Sequence, residues 1–179
     1  MELSGWGGRD LSPINANDLD RLVNALGLGD GNPGRQIRRD ARGWKESEVQ
    51  LHRILVAAIR PSFQSPIMLA VGVIDRSCEA AVLLGDDLVG PVKIESAALD
   101  TLISAWPAPG TWGEGWITVD GTGFDLMLSS PGASTRLQFT SGSKMDFLSA
   151  SIGALLRTIA EVTDGPTLRA WLSETTSFG

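Results

Sequence analysis

The chain has 179 residues, 42% of them hydrophobic and 20% charged, which is enough for one domain with a sizeable core and excludes overall disorder. The single cysteine, Cys78, excludes an internal disulfide, and no apolar run approaches the ~18 residues needed to cross a bilayer. The net charge of −6 is uneven: Met1–Arg60 carries +1 and Pro61–Gly179 carries −7, so the larger part argues against a nucleic acid partner and suits a basic protein surface.

The N-terminus, Met1-Glu2-Leu3-Ser4-Gly5-Trp6, has no basic region followed by an apolar core, so no signal peptide is expected. A lone thiol fits a reducing cytoplasm, where the protein is expected to reside. Basic residues are mostly Arg, a bias that accompanies GC-rich bacterial genomes.

Met1–Pro13 is Gly-rich and aperiodic, an arm or loop. Asn15 or Asn17 can then cap a helix with Leu19, Leu22, Val23 and Leu26 on one face, stopped by Gly27. Gly29–Gly34 reads as a loop. Arg35–Arg60 reads as helical in one piece or two, with a break expected between Gly43 and Ser47. Ile37, Ala41 and Trp44 lie on one stripe, and Leu51, Leu55 and Ile59 continue it until Pro61.

Strand-like runs follow. Ile67–Ile74 is apolar on both alternating faces, which predicts a central strand covered on both sides. Cys78–Leu84 is a second buried-looking strand, ended by Gly85-Asp86-Asp87. Val92–Glu95 is a third, with Pro91 fitting an edge position. Ser96 caps a helix carrying Leu99, Leu102, Ile103 and Trp106. Trp116–Asp120 and Phe124–Ser129 flank Gly121-Thr122-Gly123 and predict a hairpin. In the next strand Arg136, Gln138 and Thr140 alternate with Leu137 and Phe139, giving one wet face. Ser143 opens a long amphipathic helix with the stripe Phe147, Leu148, Ile152, Leu155, Leu156, Ile159 and Val162. Gly165-Pro166 begins a last helix with Leu168, Trp171 and Leu172.

This order predicts an α+β fold: a central antiparallel β-sheet of five or six strands flanked by helices, with an N-terminal helical extension. Residues 1–45 form the arm and extension, and residues 46–179 the α+β domain, the two making one structural unit.

Little in the chain points to catalysis. His52 has no nucleophile motif in sequence and reads as a helix-surface residue. Cys78 sits in an apolar run beside Glu79, a setting that raises a thiol pKa, so it reads as core. Asp75, Asp86, Asp87 and Asp120 fall in turns, with no metal-binding spacing. Gly27–Gly34 lacks the Gly-Lys-Ser/Thr ending of a phosphate loop. No catalytic residue, metal site or cofactor is therefore expected.

Two features point to binding. Arg35, Arg38, Arg39, Arg42 and Lys45 recur at helical spacing as a cationic stripe, which could meet an acidic protein, an anionic polymer or membrane, pair with the domain's own acidic surface, or be solvated. Trp106, Trp112 and Trp116 crowd one loop, where they serve either as interface anchors or as core.

The run Val71–Asp75, a turn, and Ala80–Leu84 resembles the first hairpin of the roadblock/LC7 family. The helix Leu99–Trp106, the runs Ile117–Asp120, Phe124–Leu128 and Thr135–Phe139, and the long C-terminal helix continue that order over Glu48–Val162. The resemblance implies a helix-flanked five-stranded sheet that forms homodimers and acts as a platform for small GTPases. The same order is similar to secretion-chaperone folds. The reading is a non-enzymatic adaptor that binds another protein through the Arg stripe and the Trp cluster. Its alternatives are an immunity-type inhibitor or secretion chaperone for a basic partner, and an enzyme with a site near Trp112.

Overall fold

The computed structural model describes residues 16–27, 53–74, 77–104, 106, 121–130, 133–141 and 146–175. Their order is α1 (Ala16–Ala25), β1 (Arg53–Arg60), β2 (Ile67–Ile74), β3 (Ser77–Leu84), β4 (Asp87–Ile94), α2 (Ser96–Ser104), β5 (Gly123–Ser130), β6 (Ala133–Thr140), α3 (Asp146–Val162) and α4 (Pro166–Glu174). The strands form one six-stranded sheet in the order β4-β3-β2-β1-β5-β6, antiparallel at every junction. The predicted α+β class, with helices flanking an antiparallel sheet, is what the chain adopts.

The largest departure from the sequence reading lies at Arg53–Arg60. These residues are not the end of a helix but strand β1, paired with β2 on one side and β5 on the other. Ile54 to Ala58 and Ile59 are all buried. A short run apolar on both faces satisfies helical and strand templates alike, so Leu55 and Ile59 matched a helical stripe by coincidence of spacing. Two sheet neighbours and cover on both faces outweigh the helix-forming tendency of Ala57 and Ala58.

A second departure concerns the hairpin around Gly121–Gly123. Strand β5 pairs with β1 from Gly123 to Ser129 and with β6 from Gly123 to Ser130. Both of its edges are taken, so its hairpin partner is β6 and not Trp116–Asp120, which lies outside the described residues. The third strand is also longer than its apolar part. β4 begins at Asp87, straight after a two-residue turn in which Gly85 has φ +58°, the sign a type II′ turn needs at its first central position. A register shift lies opposite, between Ala80 and Val82. There Gly90 has φ +102°, and a Cβ on it would lie 2.7 Å from the Ala80 carbonyl oxygen, so only glycine fits.

Two cores follow from the pleat. One face of the sheet, with Leu55, Ile59, Leu69, Val71, Cys78, Val82, Phe124, Leu126 and Leu137, packs under α2, α3 and α4 through Leu99, Leu102, Leu148, Ile152, Leu155, Leu156, Ile159, Leu168 and Trp171. The expected burial of Leu155 and Leu156 holds, at 2% and 0% exposure. Phe147 and Val162, assigned to the same stripe, are exposed instead. Phe147 points about 100° away from Leu148 around the helix, and Val162 is the last helical residue. Trp171 anchors α4 to the β1–β2 loop by donating from Nε1 to the Ser65 carbonyl at 2.9 Å.

The opposite face, with Ile54, Val56, Ala58, Met68, Ala70, Ala81 and Leu83, packs with Leu22, Val23 and Leu26 of α1. That helix lies over β2, β3 and β4. Arg21 fastens it to the β3–β4 turn, donating to the Asp86 carbonyl at 2.8 Å and facing its carboxylate at 3.6 Å.

Candidate binding surface

The face that carries α1 changes character across the sheet. Register carries the row Met68, Ala58, Asp125 and Gln138 from β2 through β1 and β5 to β6, and the row Ala70, Val56, Met127 and Arg136 beside it. Apolar residues on β1 and β2 thus give way to a polar patch on β5 and β6.

Asp125 is the centre of that patch. It is 4% exposed, a costly place for a carboxylate unless it is paired. Arg136 supplies the pairing in a two-pronged contact. Its Nε donates to Asp125 Oδ1 at 2.7 Å, and its Nη2 donates to Oδ2. This hydrogen bond raises the Arg136 pKa further above the usual guanidinium range, so the group is cationic at any physiological pH. The Arg136 side chain is 45% exposed, so its outer side faces solvent while its inner side is fixed. Gln138 is exposed beside it and Met127 is half-buried. The arrangement is a guanidinium held in one orientation by a buried carboxylate, flanked by an amide and a thioether side chain. It can accept a carboxylate or carbonyl from a partner without first losing side-chain freedom.

The residues singled out from sequence are distributed differently. Arg35, Arg38, Arg39, Arg42, Trp112, Trp116 and His52 lie outside the described residues. Trp106 is half-buried and packs against the larger core beyond the end of α2. Cys78 is a core residue: it is buried on β3, and burial first, then the negative charges of Asp100 and Glu79, push its thiol up to about 11. It therefore carries almost no thiolate at neutral pH. Among the described residues no group of three or more His, Cys, Asp or Glu side chains could hold a metal ion.

Asp125 and Arg136 were not singled out in sequence. The available signal was a lone carboxylate inside the apolar run Phe124–Leu128. Counting back from a tight turn after Ser130 places it diagonal to Arg136 on the same face. The misplaced hairpin hid that register.

No family model matches the chain, and no curated protein and no solved structure matches it.

Proposed function

We propose that this chain is a non-enzymatic adaptor that binds another protein, with the β5–β6 face around Arg136 as part of the contact surface. The observation that supports it most is the Arg136–Asp125 pair. A half-exposed Arg fixed by a buried carboxylate has the form of an interface anchor, because its ordering entropy is already lost in the free protein. The resemblance to the roadblock/LC7 segment order makes a small GTPase the first partner to try. The acidic charge of Pro61–Gly179 supports the neighbouring reading, a basic protein partner.

The test is affinity capture with the wild-type chain, identification of the bound protein, and titration of that purified partner against variants. Arg136→Lys keeps the charge but removes the two-pronged geometry, and it should weaken binding about tenfold while the protein stays folded. Unchanged affinity would remove this face from the contact surface. The paired variant Arg38→Glu with Arg42→Glu tests the cationic stripe, and its effect should grow as salt falls. Trp112→Ala tests the aromatic cluster, with little salt dependence. A partner turned over chemically by the wild-type chain would overturn the adaptor reading itself.

A further inference from the structure

The loop 61–66, between β1 and β2, holds one large apolar side chain out in water. Phe63 is 82% exposed, while Leu88, Phe147 and Val162, the other exposed large apolar side chains among the described residues, do not exceed 59%. Its neighbours Ser62, Gln64 and Ser65 are each tied to another part of the fold. Ser62 Oγ donates to the Gly121 carbonyl at 2.8 Å, just ahead of β5. The Gln64 side chain donates from Nε2 to Glu174 Oε2 at 3.3 Å and accepts at Oε1 from the Thr175 hydroxyl. The Ser65 carbonyl takes the Trp171 indole N–H. Pro61 and Pro66 close the loop at its two ends.

Single exposed apolar residues are common, and exposure alone says nothing of function. The bracing sets this one apart. An aromatic side chain on a slack loop can fold back onto nearby apolar surface and leave water. Here two prolines fix φ at the loop ends, and bonds to the approach of β5 and to the end of α4 restrain the residues between them. The ring is presented in one place before any partner arrives. Little ordering entropy is then left to lose on binding, the condition under which an aromatic anchor contributes most to affinity.

From this loop we infer that Phe63 anchors a protein partner by entering an apolar pocket of that partner whose rim is basic. Shape and charge select the occupant. A single ring raised on a turn matches a concave recess, and it offers too little apolar area to hold the chain on a membrane. Glu174, exposed beside Gln64, and the C-terminal end of α4 place negative charge next to the ring. Pro61–Gly179 carries −7 overall. That charge disfavours anionic lipid and a second acidic copy, and it draws a basic rim. The inference rests on the adaptor reading for the existence of a protein partner, and it adds a contact apart from Arg136 on β6.

The test places a photoreactive side chain, Phe63→p-benzoylphenylalanine, in the full chain and irradiates the cells that make it. We expect one main adduct with a different polypeptide, and no such adduct when the same group replaces the exposed Lys93 on β4. That polypeptide is then purified and titrated against variants. Phe63→Ser should weaken binding roughly tenfold or more, and Phe63→Leu should retain part of the affinity. Because the ring is in water, both variants should keep the wild-type urea midpoint. The Phe63→Ser loss should persist at high salt, and Glu174→Lys should weaken binding chiefly at low salt. Vesicles of phosphatidylcholine with phosphatidylglycerol serve as the membrane probe. Sedimentation with them that Phe63→Ser abolishes overturns the proposal, as does an adduct only with a second copy of the chain. Unchanged affinity of Phe63→Ser overturns it too, and if Arg136→Lys still weakens the same complex, the adaptor reading stands without this contact. Absence of any adduct overturns the anchor, and absence of any captured partner besides overturns both.

Discussion

The two faces of the sheet teach different lessons about the same strands. Under α2, α3 and α4 the surface is apolar from β3 to β6, and its largest residues, such as Leu69, Leu126 and Leu137, are fully buried. Under α1 the buried apolar surface reaches from β3 to β1 with Met127 of β5 packed at its border, and beyond it β5 and β6 present Asp125, Arg136 and Gln138. One face is a core across the sheet, while the other is a core on one side and a polar surface on the other. Where a sheet stops investing its alternate residues in packing, those residues are available for contact with something else.

The largest test of this contrast is at its two apolar centres. Leu156→Ala, on the helix layer, should lower unfolding free energy by ~2–5 kcal/mol in urea titrations. Leu22→Ala on α1 should fall in the same range, since Leu22 is also fully buried. If Leu22→Ala shifts the midpoint by no more than a surface substitution, α1 is an attachment and not a second core.

The next test is at the polar end. Arg136→Ala leaves a buried carboxylate without its partner and should cost ~1–3 kcal/mol. Asp125→Asn should cost less, because the guanidinium it releases is already half in solvent. The opposite order in thermal unfolding would show that the pair is not anchored from the Asp125 side.

Much of this division was legible in the sequence. Short apolar runs bounded by turn residues located β2 and β3, while period-two alternation located the wet face of β6 and the 3.6-residue stripe located α3, because one-sided burial leaves a periodic trace. Strand β1 was not legible as a strand. Residues buried on both sides leave no alternation, and here no turn signal precedes the run, so Leu55 and Ile59 fell in with the helical spacing begun at Leu51. The Asp125–Arg136 site was hidden for a related reason. It depends on the pairing of β5 with β6, and register is a property of two segments together.

A smaller effect separates the two faces by pH. Cys78 belongs to the helix-layer core, and its thiol is raised from 9.0 to about 11 in the folded chain. The folded state therefore holds the proton more tightly than the unfolded state. Its contribution to stability is complete below pH 9.0 and is lost as the pH rises toward about 11. Cys78→Ala should flatten the fall in stability over that interval, and an unaltered slope would place the titrating group elsewhere. The smallest expected change is at Val162 and Phe147, where replacement by Ser and Gln should alter stability by only about 0.5 kcal/mol because both are exposed. A larger loss at either would extend the helix-layer core beyond the ends of α3.

The place of β1 in the sheet has a consequence for synthesis. Strands β1 to β4 form a meander from adjacent segments, but the other neighbour of β1 is β5, and the nearest pair across that junction, Arg60 with Gly123, is more than sixty residues apart in the chain. At ~5–20 residues per second of translation, β1 waits several seconds with one apolar edge unsatisfied. During that interval the nascent chain exposes Ile54, Val56 and Ala58 beside open backbone groups, the combination that invites pairing with the wrong strand. Ribosome-bound chains halted before Gly123 should therefore be far more sticky than chains halted after Thr140, and holdase chaperones should distinguish the two.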